Sequence, residues 1–275
     1  MIFQTIHLNT VFDEMIGDGQ DPVLRAYLPD LLEDRAGQKR PCLLICPGGG
    51  YGMCCQREAE PVALNFLPEG FNVFILDYSV APHRFPTQLR QVAAALEVIH
   101  DCAEQWHCDV GRVAIMGFSA GGHLAAHYST CYDCSEVRSA FPDSKPVQAS
   151  ILCYPVISAD PAVAHLGSFE NLLGHSPLTP EETKRFSCHL RVTPHTPPAF
   201  LWHTATDDLV PVMNSLLYAQ ALAANKVPFA LHIYPAGWHG MSTVDKQTND
   251  ALDAASAHAV DWMDAAKKWL RIVFA

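Results

Sequence analysis

The chain has 275 residues, of which 49% are hydrophobic and 17% charged, a balance that supports a large buried core and argues against an intrinsically disordered protein. Its formal net charge is −11, from 29 acidic and 18 basic residues, and its basic residues form no run of any length. We therefore expect no binding to nucleic acid or to an anionic membrane surface, because both depend on clustered Lys and Arg.

The N-terminal residues lack the basic region and long apolar stretch that mark a secretory signal. No apolar run along the chain reaches the length that spans a membrane. We therefore expect a soluble, cytoplasmic protein. In a reducing compartment the ten cysteines are expected to be mostly buried thiols.

Two of these cysteines, Cys131 and Cys134, have the C-x-x-C spacing of redox and zinc sites. No second pair follows at zinc-finger spacing, and the surrounding sequence is not thioredoxin-like. A redox or metal-binding role is kept only as an alternative, and we expect neither a metal nor a cofactor.

The chain opens with two strand candidates, residues 5–12 and 23–28, on either side of the segment GDGQDP at 17–22. Gly, Asp and Pro between two apolar runs are typical of a turn. An antiparallel hairpin is therefore predicted to lead into the fold.

Downstream, apolar runs alternate with segments of helical spacing. The predicted strands are residues 42–46, 71–76, 112–116, 149–154, 199–203 and 229–234. The predicted helices are residues 58–66, 86–106, 119–130, 214–224 and 249–270. This alternation predicts a mainly parallel sheet, eight-stranded with the hairpin included, and helices on both of its faces. Without a repeat or a long linker, residues 1–275 are expected to form a single domain.

One segment, residues 157–198, departs from this alternation because it is rich in proline. A short helix is predicted within it at 180–188. We interpret the segment as a small cap-like insertion over the carboxyl ends of the strands, where open α/β sheets bind ligands. A packing flap remote from any site is the alternative.

The motif with the clearest chemistry is GFSAGG at residues 117–122, between a predicted strand and a predicted helix. A serine in such a strand–turn–helix is typical of the nucleophile elbow. The serine is held in a strained backbone conformation, so Gly117 and Gly121 must leave room for the neighbouring strand and helix. Ser119 is therefore the candidate nucleophile.

A serine hydroxyl needs a base to remove its proton, and the base needs a carboxylate to orient it. Asp207 and Asp208 follow the predicted strand at 199–203, and His239 follows the strand at 229–234. The chain order Ser, Asp, His is that of α/β-hydrolases, and differs from the chymotrypsin and subtilisin orders.

A glycine-rich loop, PGGGYG at residues 47–52, follows the predicted strand at 42–46. Consecutive glycines expose backbone amides, which suits binding of an anion or an oxyanion. A flexible loop without a ligand is the alternative.

Other histidines compete with His239 for the role of base. His123 and His127 are one helical turn apart, as in the zinc motif HExxH, but Leu124 stands where the Glu would be. His123 also lies in the first turn of its helix, where the helix dipole opposes protonation. His203 is interpreted as a hydrogen-bonded core residue at a strand end.

The motifs PGGGY (47–51), GFSAGGH (117–123), DDLVP (207–211) and GWHG (237–240), in this order, resemble the α/β-hydrolases of the acetyl esterase and lipase-like group. That group includes small carbohydrate esterases. The resemblance runs from Pro41 to the C-terminus and implies the α/β-hydrolase fold.

The resemblance also implies roles for individual residues. Ser119 matches the nucleophile, and His239 matches the general base. Asp207, rather than Asp208, matches the acid, because the family's Asp stands three residues before the Val of the Val-Pro pair. The implied oxyanion hole consists of the amides of Gly49, Gly50 and Ala120. Pro47 replaces the His of the hormone-sensitive-lipase pattern HGGG, which favours the small esterases.

The implied activity is that of a serine esterase. The modest size of the 157–198 segment, and the absence of a long apolar lid, indicate short acyl groups. Acetylated sugars or xylo-oligosaccharides follow only from the resemblance, and Tyr51 and Trp238 are the candidate substrate-binding residues. Aromatic residues near a hydrolase site are otherwise pocket walls. The expected partner is a small-molecule ester, and both a monomer and a homo-oligomer are open.

Two further alternatives share the same residues. A peptidase of the prolyl-oligopeptidase type would use the same three catalytic positions, but it usually carries a propeller domain, for which this chain has no room. A non-catalytic binding module on the hydrolase fold is the other, and an intact Ser119, Asp207 and His239 argues against it.

Overall fold

An eight-stranded sheet forms the centre of the computed structural model, which describes residues 1–12, 20–35, 37–250 and 256–275. The strands are β1 Ile2–His7, β2 Val23–Leu28, β3 Arg40–Cys46, β4 Asn72–Asp77, β5 Cys108–Phe118, β6 Ala149–Cys153, β7 Ala199–Thr204 and β8 Phe229–Tyr234. Their order across the sheet is β1-β2-β4-β3-β5-β6-β7-β8.

The β1–β2 and β2–β4 pairs are antiparallel, and every pair from β4–β3 to β7–β8 is parallel. The predicted mainly parallel sheet with an N-terminal antiparallel hairpin is confirmed. Parallel strands place their carboxyl ends at one edge, so the loops after β3, β5, β7 and β8 all emerge on the same side.

The helices of the described residues alternate with the strands. They are α1 Leu8–Phe12, α2 Glu60–Phe66, α3 Thr87–Asp101, α4 Ser119–Cys131, α5 Ser135–Arg138, α6 Leu166–Leu173, α7 Pro180–Phe186, α8 Met213–Ala224 and α9 Trp262–Val273. Within the described part of the chain, every helix falls short of the length and apolarity that a bilayer crossing requires.

Two hydrophobic cores lie on opposite faces of the sheet, because successive side chains of a strand point to opposite sides. On β3, Leu44 belongs to the core shared with α3, α4 and α8. Its neighbours Leu43 and Ile45 belong to the core shared with α2 and α9. The continuous apolar run of β3 therefore reflects burial on both faces, as expected for a central parallel strand.

Several predicted boundaries were wrong. The first strand was predicted at 5–12, but β1 ends at His7 and α1 follows. Leu8 is fully buried and packs in the core that contains α3, so tertiary packing overrides the local strand propensity. Of the predicted turn at 17–22, residues 17–19 lie outside the described residues.

The final helix was predicted at 249–270, whereas α9 begins at Trp262 and follows a 3-10 turn, Ser256–Ala259. Residues 251–255 lie outside the described part of the chain. The Asn249 side chain donates to the Met241 carbonyl at 2.9 Å, so residue 249 is held by the loop after β8. The helix α6 was not predicted.

Candidate active site

Ser119 lies at the junction of β5 and α4, where the sequence predicts a strained turn. Its φ angle is +53°, in the left-handed region that costs energy for a non-glycine residue. A Cβ on Gly121 would lie 2.1 Å from the Cys46 carbonyl oxygen, and one on Gly117 would lie 2.1 Å from the Gly121 carbonyl oxygen. Both glycines therefore permit the close approach of backbones that this turn requires.

His239 joins Ser119 to Asp207. Its Nε2 lies 2.7 Å from the Ser119 hydroxyl, and its Nδ1 lies 2.7 Å from Asp207 Oδ2. The three side chains come from the loops after β5, β7 and β8, so the sheet edge brings them together. Asp208 is exposed, and the geometry thus distinguishes the two adjacent aspartates in favour of Asp207.

The Asp207 carboxylate is held on both of its oxygens. Oδ1 accepts from the Leu209 and Val210 amides at 3.1 and 2.9 Å. Oδ2 faces His239 and also lies 3.3 Å from Nε2 of the buried His203. Burial acts to raise the pKa of Asp207, but the close approach of both histidines and the hydrogen bond from the Val210 amide outweigh it and hold that pKa well below its ordinary value. The carboxylate is therefore ionised and oriented toward His239.

The loop after β3 supplies free backbone donors beside Ser119. Gly49 and Gly50 have φ angles of +123° and +63°. Across the described residues, the amides of Gly49, Gly50 and Ala120 donate to no protein acceptor. A helix N-terminus and a glycine turn with unpaired N–H groups suit a developing negative charge.

The carbonyl oxygens of residues 47–51, in contrast, all accept hydrogen bonds. Five consecutive carbonyl oxygens accept a hydrogen bond: Pro47 from Tyr78 Oη (2.6 Å), Gly48 from the Cys55 amide (2.9 Å), Gly49 from the Gly52 amide (3.0 Å), Gly50 from Asn171 Nδ2 (2.9 Å) and Tyr51 from the Ala81 amide (2.8 Å). A peptide unit is planar, so a fixed carbonyl also fixes the following N–H. The donors at Gly49 and Gly50 are thereby preorganised.

A buried carboxylate, Glu58, was missed by the sequence analysis. It is 3% exposed, and its Oε2 accepts from the Gly48 amide at 2.8 Å. Its Oε1 accepts from the Tyr154 hydroxyl at 2.7 Å. In the sequence Glu58 stands at the start of a predicted helix, where an acidic residue usually faces solvent, so no local signal separates it from the exposed Glu60.

The two aromatic residues proposed for substrate binding differ in exposure. Tyr51 is 1% exposed, and its hydroxyl donates to His123 Nδ1 at 2.9 Å. Its ring has no free face for a sugar, so the structure gives no support to direct stacking by Tyr51. Trp238 is 37% exposed, and it immediately precedes His239 in the sequence.

Trp238 lines a cavity of about 450 Å³ next to the loop that carries His239. The other residues of its wall are polar: Arg57, Gln247, Thr248, Asn249 and Asp250. An indole face beside amide, carboxylate and guanidinium groups can hold a ligand that has both apolar and hydroxylated surfaces.

The rival histidines have structural partners. His123 is fully buried, its Nε2 donates to the Phe186 carbonyl, and burial lowers its pKa to about 4. The His127 ring stacks on Phe85. His203 is a hydrogen-bonded core residue, as expected, with Nδ1 2.8 Å from the Ser215 hydroxyl.

Cys131 and Cys134 are free thiols, and the Arg191 guanidinium donates to the Cys131 sulfur. Among the described residues, no group of three or more His, Cys, Asp or Glu side chains is arranged to hold a metal ion.

The sheet order, the strained serine and the Ser–His–Asp contacts together define an α/β-hydrolase fold. More specifically, a family model described as BD-FAE matches residues 27–222, and the chain belongs to that family.

Curated relatives extend this similarity. The chain is 38% identical over 219 residues to Endo-1,4-beta-xylanase B of Butyrivibrio fibrisolvens, covering 76% of this chain and 34% of that protein. It is 33% identical over 247 residues to an acetylxylan esterase of Xylanibacter ruminicola, covering 87% of this chain and 48% of that protein. The chain thus spans a third to a half of the length of these two relatives.

Among solved structures, an acetyl ester-xyloside bifunctional hydrolase from Caldicellulosiruptor lactoaceticus matches with a TM-score of 0.83 and 34% identity, over 98% of this chain and 96% of that chain. A carboxylesterase from Lactobacillus plantarum matches with a TM-score of 0.84 and 28% identity, over 99% and 98% of the two chains. The fold is therefore shared along the whole length of both structures.

Proposed function

We propose that this chain is a serine esterase that cleaves carboxylic esters with short acyl groups. The observation that carries the proposal is the contact of His239 with both Ser119 and Asp207 at 2.7 Å, beside three backbone amides without a protein acceptor. A nucleophile, an oriented base and preorganised oxyanion donors are the requirements of acyl transfer.

In this mechanism Ser119 Oγ attacks the ester carbonyl while its proton moves to His239 Nε2. The ionised Asp207 stabilises the imidazolium that forms. The amides of Gly49, Gly50 and Ala120 stabilise the tetrahedral oxyanion, each donor contributing about 10²- to 10³-fold in rate. His239 then gives the proton to the leaving alcohol, and water cleaves the acyl-enzyme by the reverse sequence.

The segment at 157–198 is proposed to act as a small cap of a single domain. Asn171 in α6 donates to the Gly50 carbonyl. His165, at the start of α6, places its Cε1 3.8 Å from the position of a Cβ on Gly50. The cap therefore stands against the oxyanion loop and limits the space for a long acyl chain.

The alcohol part of the substrate is proposed to be an acetylated sugar or xylo-oligosaccharide. The exposed face of Trp238 and the polar wall of the neighbouring cavity support this. The names of two relatives, an acetylxylan esterase and an acetyl ester-xyloside bifunctional hydrolase, point to the same substrate class.

Two measurements test the proposal. A fluorophosphonate probe should label the wild-type protein and fail to label Ser119→Ala, because only an activated serine reacts with it. Among p-nitrophenyl esters, the acetate should be cleaved faster than the octanoate. Labelling that persists in Ser119→Ala would refute the assigned nucleophile, and faster cleavage of the octanoate would refute the short-acyl preference.

A further inference from the structure

Glu58 is a buried carboxylate beside Ser119 and His239, and it forms no direct ion pair with any of the described residues. Its hydrogen-bond donors in the described part of the chain are the Gly48 amide and the Tyr154 hydroxyl, and both are neutral. A buried charge with neutral donors is costly to retain for stability alone. Because burying the Glu58 carboxylate costs folding free energy, we look for a functional role of this residue.

The direction of these hydrogen bonds follows from the partners. The Ser242 amide donates to the Tyr154 hydroxyl oxygen at 3.0 Å, which leaves the hydroxyl hydrogen free to donate to Glu58. The Gly48 amide can only donate. Both carboxylate oxygens therefore accept, which is the pattern of an ionised Glu58.

One end of this network reaches the oxyanion loop. Glu58 Oε2 holds the Gly48 amide, and the Gly48 carbonyl, held in turn by Cys55, shares a peptide plane with the Gly49 amide. A Cβ on Gly48 would lie 2.6 Å from Glu58 Oε2 and 2.9 Å from Ser119 Cβ. The carboxylate and the nucleophile thus flank the same glycine.

The other end reaches the base. The Tyr154 ring packs edge-on against the His239 ring, with 5.0 Å between their centroids. Its hydroxyl is anchored by the Ser242 amide, three residues after His239. Displacing Tyr154 would therefore disturb both the position and the backbone loop of His239.

We infer that Glu58 is a positioning residue for the proposed esterase reaction, holding the oxyanion loop through Gly48 and the His239 ring through Tyr154. This inference rests on the proposed function. Its negative charge also favours the protonated imidazole that forms during acyl transfer, as the charge of Asp207 does.

Several side chains in the described part of the chain face Glu58 or His239. Glu58 is faced by Arg57, Tyr78, Cys153, Tyr154 and His239. His239 is faced by Ser119, Asp207, Tyr154 and His165. Of these only Asp207 and Glu58 supply negative charge as carboxylates.

Two substitutions separate the charge of Glu58 from its hydrogen bonds. In Glu58→Gln the amide can accept from Gly48 and donate to the Tyr154 oxygen, so the network is kept and the charge is lost. We expect kcat on p-nitrophenyl acetate to fall about tenfold with KM within about twofold, and the acid limb of the pH–rate profile to move to lower pH. Glu58→Ala also removes the tie to Gly48, and kcat should fall about 100-fold.

The exposed Glu60, in the next helical turn, provides the matched control. Glu60→Gln should keep the wild-type kcat and pH profile. Wild-type kcat and an unmoved acid limb in Glu58→Gln would overturn the part of the inference that assigns a role to the charge, and wild-type kcat in Glu58→Ala would overturn the positioning role.

An NMR measurement tests the positioning independently of turnover. The amide resonances of Gly49 and Gly50 should move or broaden in Glu58→Ala and stay in place in Glu60→Gln. Unchanged resonances in Glu58→Ala would overturn the inference even if the enzyme is active. If the wild type fails to cleave any ester, the proposed function fails, whereas this measurement still decides the position of the loop.

Discussion

Two buried carboxylates lie near His239, and their pKa values are shifted in opposite directions. Asp207, in the loop after β7, has its pKa held well below the ordinary value, although burial opposes this shift. Glu58, in the segment after β3, has its pKa raised by burial, although its donors Tyr154 and Gly48 oppose the rise. Burial alone therefore does not decide the charge state.

The two pKa shifts differ because the two carboxylates have different hydrogen-bond donors. Asp207 receives two backbone amides and faces two histidines, whereas Glu58 receives one amide and one hydroxyl. A carboxylate with several donors can stay ionised in a site that would otherwise neutralise it. The comparison indicates that the surroundings of Asp207 stabilise its ionised form, whereas those of Glu58 raise its pKa toward neutral pH.

The largest effect should come from Asp207, because among the described residues it is the carboxylate in direct contact with His239. Asp207→Asn keeps the shape of the side chain but favours the wrong imidazole tautomer, so kcat/KM should fall by about 10³- to 10⁴-fold. The adjacent, exposed Asp208 is the control, and Asp208→Asn should stay within about twofold of the wild type. A comparable loss in both variants would contradict the distinction between the two aspartates.

A stability measurement addresses the raised pKa of Glu58. The folded protein penalises the charged carboxylate, so stability is lost as pH rises from the unfolded pKa through the raised, folded pKa. Glu58→Gln removes that penalty and should be as stable as the wild type at acid pH and more stable than the wild type at neutral pH. Urea unfolding at several pH values measures the difference.

For Asp207 the dependence of stability on pH has the opposite sign to that of Glu58. Its lowered pKa stabilises the folded protein above the unfolded carboxyl pKa, and that contribution disappears as pH falls toward the folded value. Asp207→Asn should therefore lose stability at neutral pH relative to the wild type. If both substitutions changed stability in the same direction at neutral pH, the comparison of the two carboxylates would be wrong.

Asp207 could be predicted from the sequence, whereas Glu58 could not. Asp207 belongs to a motif, DDLVP, and the resemblance to the family's spacing before the Val-Pro pair favours it over Asp208. The turn around Ser119 could likewise be predicted, because a Cβ on Gly117 or on Gly121 would lie 2.1 Å from a backbone carbonyl oxygen, so both positions require glycine. These features are local, so a pattern of neighbouring residues records them.

Glu58 is defined by contacts with residues distant in sequence. Tyr154 lies 96 positions away along the chain, and nothing near Glu58 indicates that its side chain turns inward. The same reason explains Tyr51, which reads as an aromatic residue of a substrate loop but donates to His123, 72 positions away. Helix α1 was mispredicted as part of a strand for a related reason, since the burial of Leu8 depends on packing with α3.

The smallest of the expected effects concerns the hydroxyl of Tyr154. Tyr154→Phe keeps the ring against His239 and removes one donor from Glu58, so kcat should fall about two- to fivefold, the cost of roughly one hydrogen bond. In the double variant with Glu58→Ala the two losses should be less than additive, because both substitutions remove the same contact between Tyr154 and Glu58. Steady-state kinetics of the four proteins give this coupling. Fully additive losses would mean that the Tyr154 hydroxyl and Glu58 act independently of each other.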